Sequence, residues 1–178
     1  MDKFAHADVV WNAAGQPMTA EQPTFDTFFL DERDRLSRAL CAITGSRSQA
    51  EDIAQEAFLK ILERWDTVSV MENPAGYLYR TALNLYRSEY RRANRAMKRL
   101  VSREPEDDDV FAPIHDRDEA LTALAVLTPR QRAALVLTEG LGYSGEDAAA
   151  MLGVKAATIY ALTHQARATL ATLTEANR

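Results

Sequence analysis

Positive charge is concentrated in one stretch of this chain, residues 74–103, which holds eight of the 21 lysines and arginines and a single acid, Glu89. At helical spacing its polar residues share one face, with Tyr77 at the edge. These are Arg80, Asn84, Arg87, Arg91, Arg95 and Lys98. Cations neutralise phosphates and a ring can stack on an unpaired base, so this is the composition of a nucleic-acid surface. A solvated helix face has the same composition, and the stretch alone does not decide between them.

The opposite face of this predicted helix is apolar and requires neighbouring elements to cover it. Its members are Leu78, Tyr79, Ala82, Tyr86, Ala93, Met97 and Leu100. Pro74 suits the first turn, because that position has no helical hydrogen bond to lose. The basic face is therefore expected to be presented by a packed helix.

The helix predicted before it, from a capping box at Ser48 and Glu51 to about Trp65, has two different faces. Its core stripe is Ile53, Ala54, Ala57, Phe58, Ile61, Leu62 and Trp65. The other face carries Asp52, Gln55, Glu56 and Glu63, with Leu59 among them. Single exposed leucines are normal, but an apolar centre ringed by acids is also typical of a protein-docking patch.

The net charge of -5 does not exclude a nucleic-acid partner, because the charges are segregated along the chain. The acidic residues 104–119 directly follow the basic stretch, and Pro105 and Pro113 within them favour a linker over a packed element. The single cysteine, Cys41, rules out an internal disulfide and fits a reducing compartment. With no signal-peptide core and no membrane-length apolar run, we expect a cytoplasmic protein.

The remaining patterns are all helical, so the predicted fold is all-α. A first helix covers residues 24–44 and ends at Gly45; Thr128 and Gln131 form a capping box with Pro129 at the first helical position. That helix is expected to end at Gly140. The predicted organisation is a mobile extension (residues 1–23), a helical domain (24–100), an acidic linker (101–118) and a second helical domain (119–178).

The second domain contains a helix-turn-helix pattern from Gly145 to His164. Ser144 caps the first helix, Ala149 is small where the helices cross, and Gly153 suits a left-handed turn. Val154, Ile159 and Leu162 are the expected apolar anchors. Such a unit presents the start of its second helix to the DNA major groove, although plain helical corners share the pattern.

Taken in order, these features resemble the extracytoplasmic-function (ECF) sigma factors of bacterial RNA polymerase. The motifs are EDIAQEAFLKILERW, NPAGYLYRTALNLYRSEYRR, an acidic linker, LTPRQRAALVL and a helix-turn-helix ending in THQARATL. Each recurs elsewhere singly, but their order and spacing are specific. The resemblance covers residues 24–173.

The resemblance implies a promoter-specificity subunit whose partners are core RNA polymerase and promoter DNA. The α-helical face with Asp52, Gln55, Glu56, Leu59 and Glu63 would dock on the clamp helices of the β′ subunit. The loop 66–73 and the next helix would capture an unpaired base of the downstream, minus-ten element. The residues implied for that role are Tyr77, Arg80, Asn84, Arg87 and Arg91.

The second domain would read the upstream, minus-thirty-five element, and the resemblance also implies a contact with the polymerase β subunit. The residues implied for it are Lys155, Ala157, Thr158, Tyr160, Ala161, His164 and Arg167. The linker would thread towards the RNA exit path, and an anti-sigma factor is a further partner that the resemblance allows.

This chain departs from the family pattern in its recognition helix. Tyr160, Leu162 and Gln165 stand where basic residues are frequent, which leaves Lys155, His164 and Arg167 as cations. Fewer phosphate contacts lower affinity for any sequence. We therefore expect an unusual upstream element, or weak upstream binding offset by the first domain; a docking face for a regulator is the other interpretation. Elsewhere, Tyr77 replaces the usual Trp and Ser88 a common Asp.

Two other classes of binding protein fit part of the pattern. One is a stand-alone helix-turn-helix regulator that uses residues 24–100 for ligand binding or dimerisation. The other is a sigma-like protein-interaction module that no longer binds promoters.

An enzyme is not expected. His6, His115 and His164 are scattered, and neither a catalytic arrangement nor a glycine-rich phosphate loop occurs. Metal-ligand spacing is also absent, so we predict no cofactor and no metal.

Overall fold

A computed structural model describes residues 24–100 and 119–176, and all regular structure within these ranges is helical. The predicted all-α fold class is confirmed for them. The extension 1–23, the linker 101–118 and the last two residues lie outside the described residues, as do the side chains of Ala93, Met97, Lys98 and Leu100. No helix in the described part of the chain is long and apolar enough to cross a membrane.

The first domain contains four helices. They are α1 (Phe25–Thr44), α2 (Arg47–Leu62), the short α3 (Trp65–Val68) and α4 (Pro74–Leu100). Thr24 caps α1 by accepting a hydrogen bond from Thr27 N at 3.2 Å, and Gly45 ends it in the left-handed region at φ 71°. Both ends of the first helix are as the sequence predicts.

The predicted start of α2 is wrong by a few residues. The N-cap is Ser46, whose Oγ accepts from Gln49 N at 3.3 Å, and Ser48 lies inside the helix. Glu51 forms an i,i+4 ion pair with Arg47, at 3.0 Å between Nε and Oε1, and makes no capping box with Ser48. The backbone of Ser46 is extended, which places the Ser46 hydroxyl over the free amides of the first helical turn before the chain reaches Ser48.

Aromatic rings join α1, α2 and α3 in the core of the first domain. Ring centroids lie 5.0 Å apart for Phe28 and Trp65 and 4.9 Å apart for Phe29 and Phe58. The predicted core stripe of α2 is buried through Ile61, but Leu62 is 50% exposed, so its assignment to the core is wrong. The helix ends at Leu62 and the chain turns into α3, which carries Trp65 back to the core while Leu62 stays outside.

The second domain contains α5 (Glu119–Leu124), α6 (Pro129–Leu135), a π-helical turn (Val136–Gly140), α7 (Gly145–Leu152) and α8 (Ala156–Ala176). Thr128 and Gln131 make both bonds of the predicted capping box. The helix predicted from this box to Gly140 is α-helical only as far as Leu135. Its last turn, Val136–Gly140, is π-helical.

The helix-turn-helix is formed by α7 and α8. Ser144 caps α7, and Gly153 adopts φ 59°, as its predicted place in the turn requires. Ala149 and Ile159 are buried and Leu162 is half-buried, but Val154 is 36% exposed and is not the apolar anchor that the pattern predicts. It follows the left-handed glycine directly, at the outer side of the turn.

The two domains are packed against each other through arginines that donate to backbone carbonyls across the boundary. Arg132 of α6 is fully buried and donates to Ile43 O at 3.2 Å and, within its own domain, to Leu127 O at 3.1 Å. Arg35 of α1 donates to Leu141 O at 3.2 Å. A third such bond is made by Arg87 of α4, which donates to the backbone carbonyl of Leu152.

Candidate nucleic-acid and protein-docking surfaces

Helix α4 carries the predicted basic face on its outer side. Its apolar side is buried where it is described, at Leu78, Tyr79, Ala82 and Tyr86, and also at Leu83. Of the six polar residues predicted for the basic face, Arg80, Asn84, Arg91 and Arg95 are exposed. This arrangement keeps four of the six predicted polar residues available to a polyanion.

Arg87 does not lie with them on the free surface. It is half-buried, and its guanidinium donates a hydrogen bond to the backbone carbonyl of Leu152 at the end of α7. Burial lowers the pKa of the Arg87 guanidinium, and the nearby cations Arg130 and Arg91 lower it further. Arg87 therefore offers fewer free N–H groups to a phosphate than the exposed arginines of α4 do.

The start of α4 is held by the side chain of Asn73. Its Oδ1 accepts a hydrogen bond from Gly76 N at 2.7 Å, so Asn73 acts as a cap just before Pro74. A Cβ at position 76 would lie within 2.7 Å of the same amide, which explains the glycine. The hydrogen bond between Asn73 and Gly76 fixes the start of α4 and, with it, the position of Tyr77 on the first turn.

Tyr77 lines an open depression of about 200 Å³ between the end of α2 and the start of α4. The other lining residues are Lys60, Glu63, Arg64 and Thr81. The resemblance implied Tyr77 and the loop 66–73 for base capture, but no residue of that loop lines this depression. Lys60, Arg64 and Thr81 were missed, because helical periodicity within α4 does not indicate which end of α2 it meets. Glu63, predicted for the docking face, also borders the depression.

The outer face of α2 has the predicted composition. Asp52, Gln55, Glu56 and Glu63 are exposed, and Leu59 is 59% exposed. The exposed Leu62, one turn further on, adds a second apolar side chain, which its i,i+3 spacing from Leu59 could have indicated. The face is therefore more apolar at its centre than the sequence suggested.

The predicted recognition helix, α8, presents its first turns to solvent. Ala157, Thr158, Tyr160, Ala161 and His164 are all exposed, as is Lys155 just before the helix. Arg167 is exposed as well, but its Nε lies 2.7 Å from Oε1 of Glu139, with which it forms an ion pair. Of the seven predicted contacts, Arg167 alone is thus held by a carboxylate.

A buried polar cluster lies at the boundary between the domains. The rings of Tyr79 and Tyr143 meet edge to face with centroids 5.6 Å apart, and Glu32 is buried beside them. Burial raises the pKa of Glu32 and of both tyrosines, and Arg35, 3.9 Å from the Glu32 carboxylate, opposes these shifts. The cluster therefore disfavours the charged form of all three groups at the boundary between the domains.

No group of three or more His, Cys, Asp or Glu side chains within residues 24–100 and 119–176 is placed to hold a metal ion. His164 is exposed on α8, and His6 and His115 lie outside the described residues. Cys41 is half-buried against the core of the first domain.

Two family models match the chain, one in each domain. The model described as "Sigma-70 region 2" matches residues 28–96, and "Sigma-70, region 4" matches residues 117–170. The first match contains the basic and docking faces, and the second contains the helix-turn-helix.

Whole-chain relatives are similar over both domains. The RNA polymerase sigma-E factor of Streptomyces coelicolor is 30% identical over 148 residues, 82% of this chain and 83% of that protein. The ECF RNA polymerase sigma factor EcfG of Rhodopseudomonas palustris is 31% identical over 140 residues, 74% of this chain and 75% of that protein. Neither is a stand-alone regulator.

A solved structure has the same arrangement of helices. The sigma factor RpoE of Bartonella quintana, crystallised in complex with the anti-sigma factor NepR, superposes with a TM-score of 0.71 at 25% identity, covering 86% of this chain and 98% of that one. With both domains matched in order, the chain belongs to the ECF sigma factors, which direct bacterial RNA polymerase to promoters.

Proposed function

We propose that the two domains of this sigma factor divide the promoter between them. Residues 24–100 dock on core polymerase and hold the downstream element, and residues 119–178 bind the upstream element. The observation that carries this proposal is the exposed row Arg80, Asn84, Arg91 and Arg95 on α4, which runs on from the depression at Tyr77.

The downstream element would be held by α4 and the depression together. Cations along one helix face track the phosphates of a single strand, while an aromatic at the end of the row can stack on a base that has left the duplex. Tyr77 provides that ring, and Lys60 and Arg64 place positive charge around the depression. Holding an extruded base lowers the cost of unstacking it, which favours strand opening.

Polymerase docking is assigned to the outer face of α2. Leu59 and Leu62 would enter an apolar recess on the β′ clamp helices, with Asp52, Gln55, Glu56 and Glu63 around them facing cations of the partner. A small buried apolar centre with a charged rim is how such contacts obtain both affinity and orientation. The second domain would reach the β subunit, with the linker 101–118 between the two sites.

The protein would act by binding alone, in the cytoplasm, where polymerase and chromosome are found. An anti-sigma factor is a further proposed partner, because the similar RpoE of Bartonella quintana is bound to one.

Run-off transcription from a promoter library, with core polymerase and the full chain, tests the proposal. We expect initiation from a restricted set of templates sharing one upstream and one downstream element. Arg80→Glu is expected to abolish initiation, and Arg33→Glu, at an exposed position on α1, is the matched control. Initiation without sequence selectivity, or none at all, would overturn the proposal.

A further inference from the structure

The outer surface of the first turns of α8 carries apolar side chains that face solvent, with Thr158 and His164 exposed beside them. Tyr160 is 62% exposed, and Ala157 and Ala161 are exposed beside it. The core side of the same helix is formed by other residues, Ile159 and Ala166, which are fully buried. The exposed apolar residues therefore do not belong to the buried core of the second domain.

The ring of Tyr160 lies over Gly145, its neighbour across the turn. A Cβ added at Gly145 would lie 2.8 Å from Cζ of the tyrosine ring, so the ring rests directly on the start of α7. Ala157, Tyr160 and Ala161 are spaced at i, i+3 and i+4, so they share one face of α8 and form an exposed apolar strip.

Cations are scarce around this strip. Within α7, the turn and α8 the only lysine or arginine residues are Lys155 and Arg167, and Arg167 is paired with Glu139. The exposed Glu146 and Asp147 stand at the start of α7. Bidentate recognition of guanine uses arginine or lysine, and Lys155 is the one of these two cations that is not paired with Glu139.

We propose that α8 reads thymine methyl groups, so that the upstream element of this sigma factor is rich in A·T pairs. The thymine C5-methyl projects into the major groove, where alanine and aromatic side chains contact it. The inference rests on the proposed function, since it needs α8 to enter the groove upstream. It specifies what is read there: methyl groups under Ala157, Tyr160 and Ala161, with at most one guanine, at Lys155.

Replacement of thymine by uracil in the promoter tests the inference at the level of one methyl group. The probe is a promoter selected in the run-off experiment, bound by polymerase carrying the full-length chain. Burial of one methyl contributes a factor of about three to four in affinity, so uracil at two upstream positions should weaken binding about tenfold. The control is the same replacement in the spacer, which should change nothing.

A pair of alanine variants on α8 provides a second readout. Ala157→Arg is expected to shift the selected upstream element towards guanine. Ala171→Arg adds the same charge to an exposed position four turns along the helix and should raise affinity for all sequences without a shift. Unchanged base preference in Ala157→Arg would contradict the inference.

The outcomes separate the two proposals. Selective initiation from an upstream element rich in guanine, or insensitive to uracil, would overturn the methyl readout and leave the proposed function standing. Absence of selective initiation would overturn the proposed function itself.

Discussion

Arg87 of α4 donates a hydrogen bond to the backbone carbonyl of Leu152, the last residue of α7, and thereby joins the helix that carries the basic face to the helix-turn-helix. Its neighbours Arg80 and Arg91 stay exposed. One N–H group of the Arg87 guanidinium is engaged by a carbonyl of the second domain, and the side chain is half-buried. In the packed arrangement of the domains, Arg87 is therefore less open to a phosphate than Arg80 or Arg91.

Arg80→Ala and Arg87→Ala should consequently differ. Each is expected to reduce the dependence of log affinity on log salt by about one for a downstream-element oligonucleotide. Arg87→Ala should lose less affinity, because Arg87 is half-buried and already donates to Leu152, whereas Arg80 is exposed. Only Arg87→Ala should loosen domain packing, seen as a larger radius of gyration by small-angle scattering. Equal expansion of both variants would contradict this account.

Arg132→Ala is expected to destabilise the chain by about 2–4 kcal/mol. The substitution removes a buried guanidinium and leaves the carbonyls of Ile43 and Leu127 without their donor. Urea unfolding measures the loss. Arg130→Ala, on the exposed side of the same helix, is the control and should change stability by less than about 0.5 kcal/mol. Similar losses in both variants would rule out a special role for the buried arginine.

Leu59→Arg should weaken binding to core polymerase at least about tenfold, since it places a charge at the apolar centre of the docking face. Leu30→Arg is a closely matched control, because Leu30 on α1 is 60% exposed and Leu59 is 59% exposed. Titration of labelled protein with core polymerase gives both affinities. Neither variant should alter the melting temperature by more than a few degrees. An unchanged affinity in Leu59→Arg would remove α2 from the interface.

Glu32→Gln should stabilise the protein at neutral pH. Burial raises the folded-state pKa of Glu32 above its ordinary value of 4.5, so the folded protein binds this proton more tightly than the unfolded chain does. Stability therefore falls as pH rises from about 4.5 through the folded pKa, and the amide avoids this loss. Urea unfolding from pH 4.5 to 7.5 should show a shallower fall in the variant.

The groups that surround Glu32 set the size of this effect. Arg35 favours the carboxylate, while Asp31 disfavours it. Glu72→Gln, at an exposed position in the loop before α4, should keep the wild-type slope. If stability falls with pH as steeply in Glu32→Gln as in the wild type, the pKa of the Glu32 carboxyl group does not change on folding.

Gly145→Ala should perturb the recognition helix, because the new methyl would meet the ring of Tyr160. The ring must turn outwards, and binding to an upstream-element duplex should fall several-fold with a modest loss of stability. Gly140→Ala is the control, since a Cβ there meets only a Val136 methyl at 3.8 Å. Fluorescence anisotropy reports the affinity. Identical behaviour of the two variants would show that the position of Tyr160 does not matter.

Much of the fold follows from local patterns. The caps at Thr24, Thr128 and Ser144 and the left-handed glycines Gly45 and Gly153 were all predictable, because they depend on the backbone within a turn or two. The register of the apolar and basic faces of α4 was equally predictable from its periodicity. Errors began where two local signals competed, as at Ser46 and Ser48.

Contacts between distant residues were decided by tertiary structure alone. Arg87 has the same sequence signature as Arg80, yet one is bound to the second domain and the other is exposed. Arg132 carries no sign of burial in its neighbours, and Arg167 none of its ion pair with Glu139. Periodicity indicates which side of a helix is apolar, but a polar residue becomes buried or paired only when another element reaches it. The sequence by itself therefore determined the helices, their faces and the family, whereas the packing of the domains decided which cations stay available to DNA.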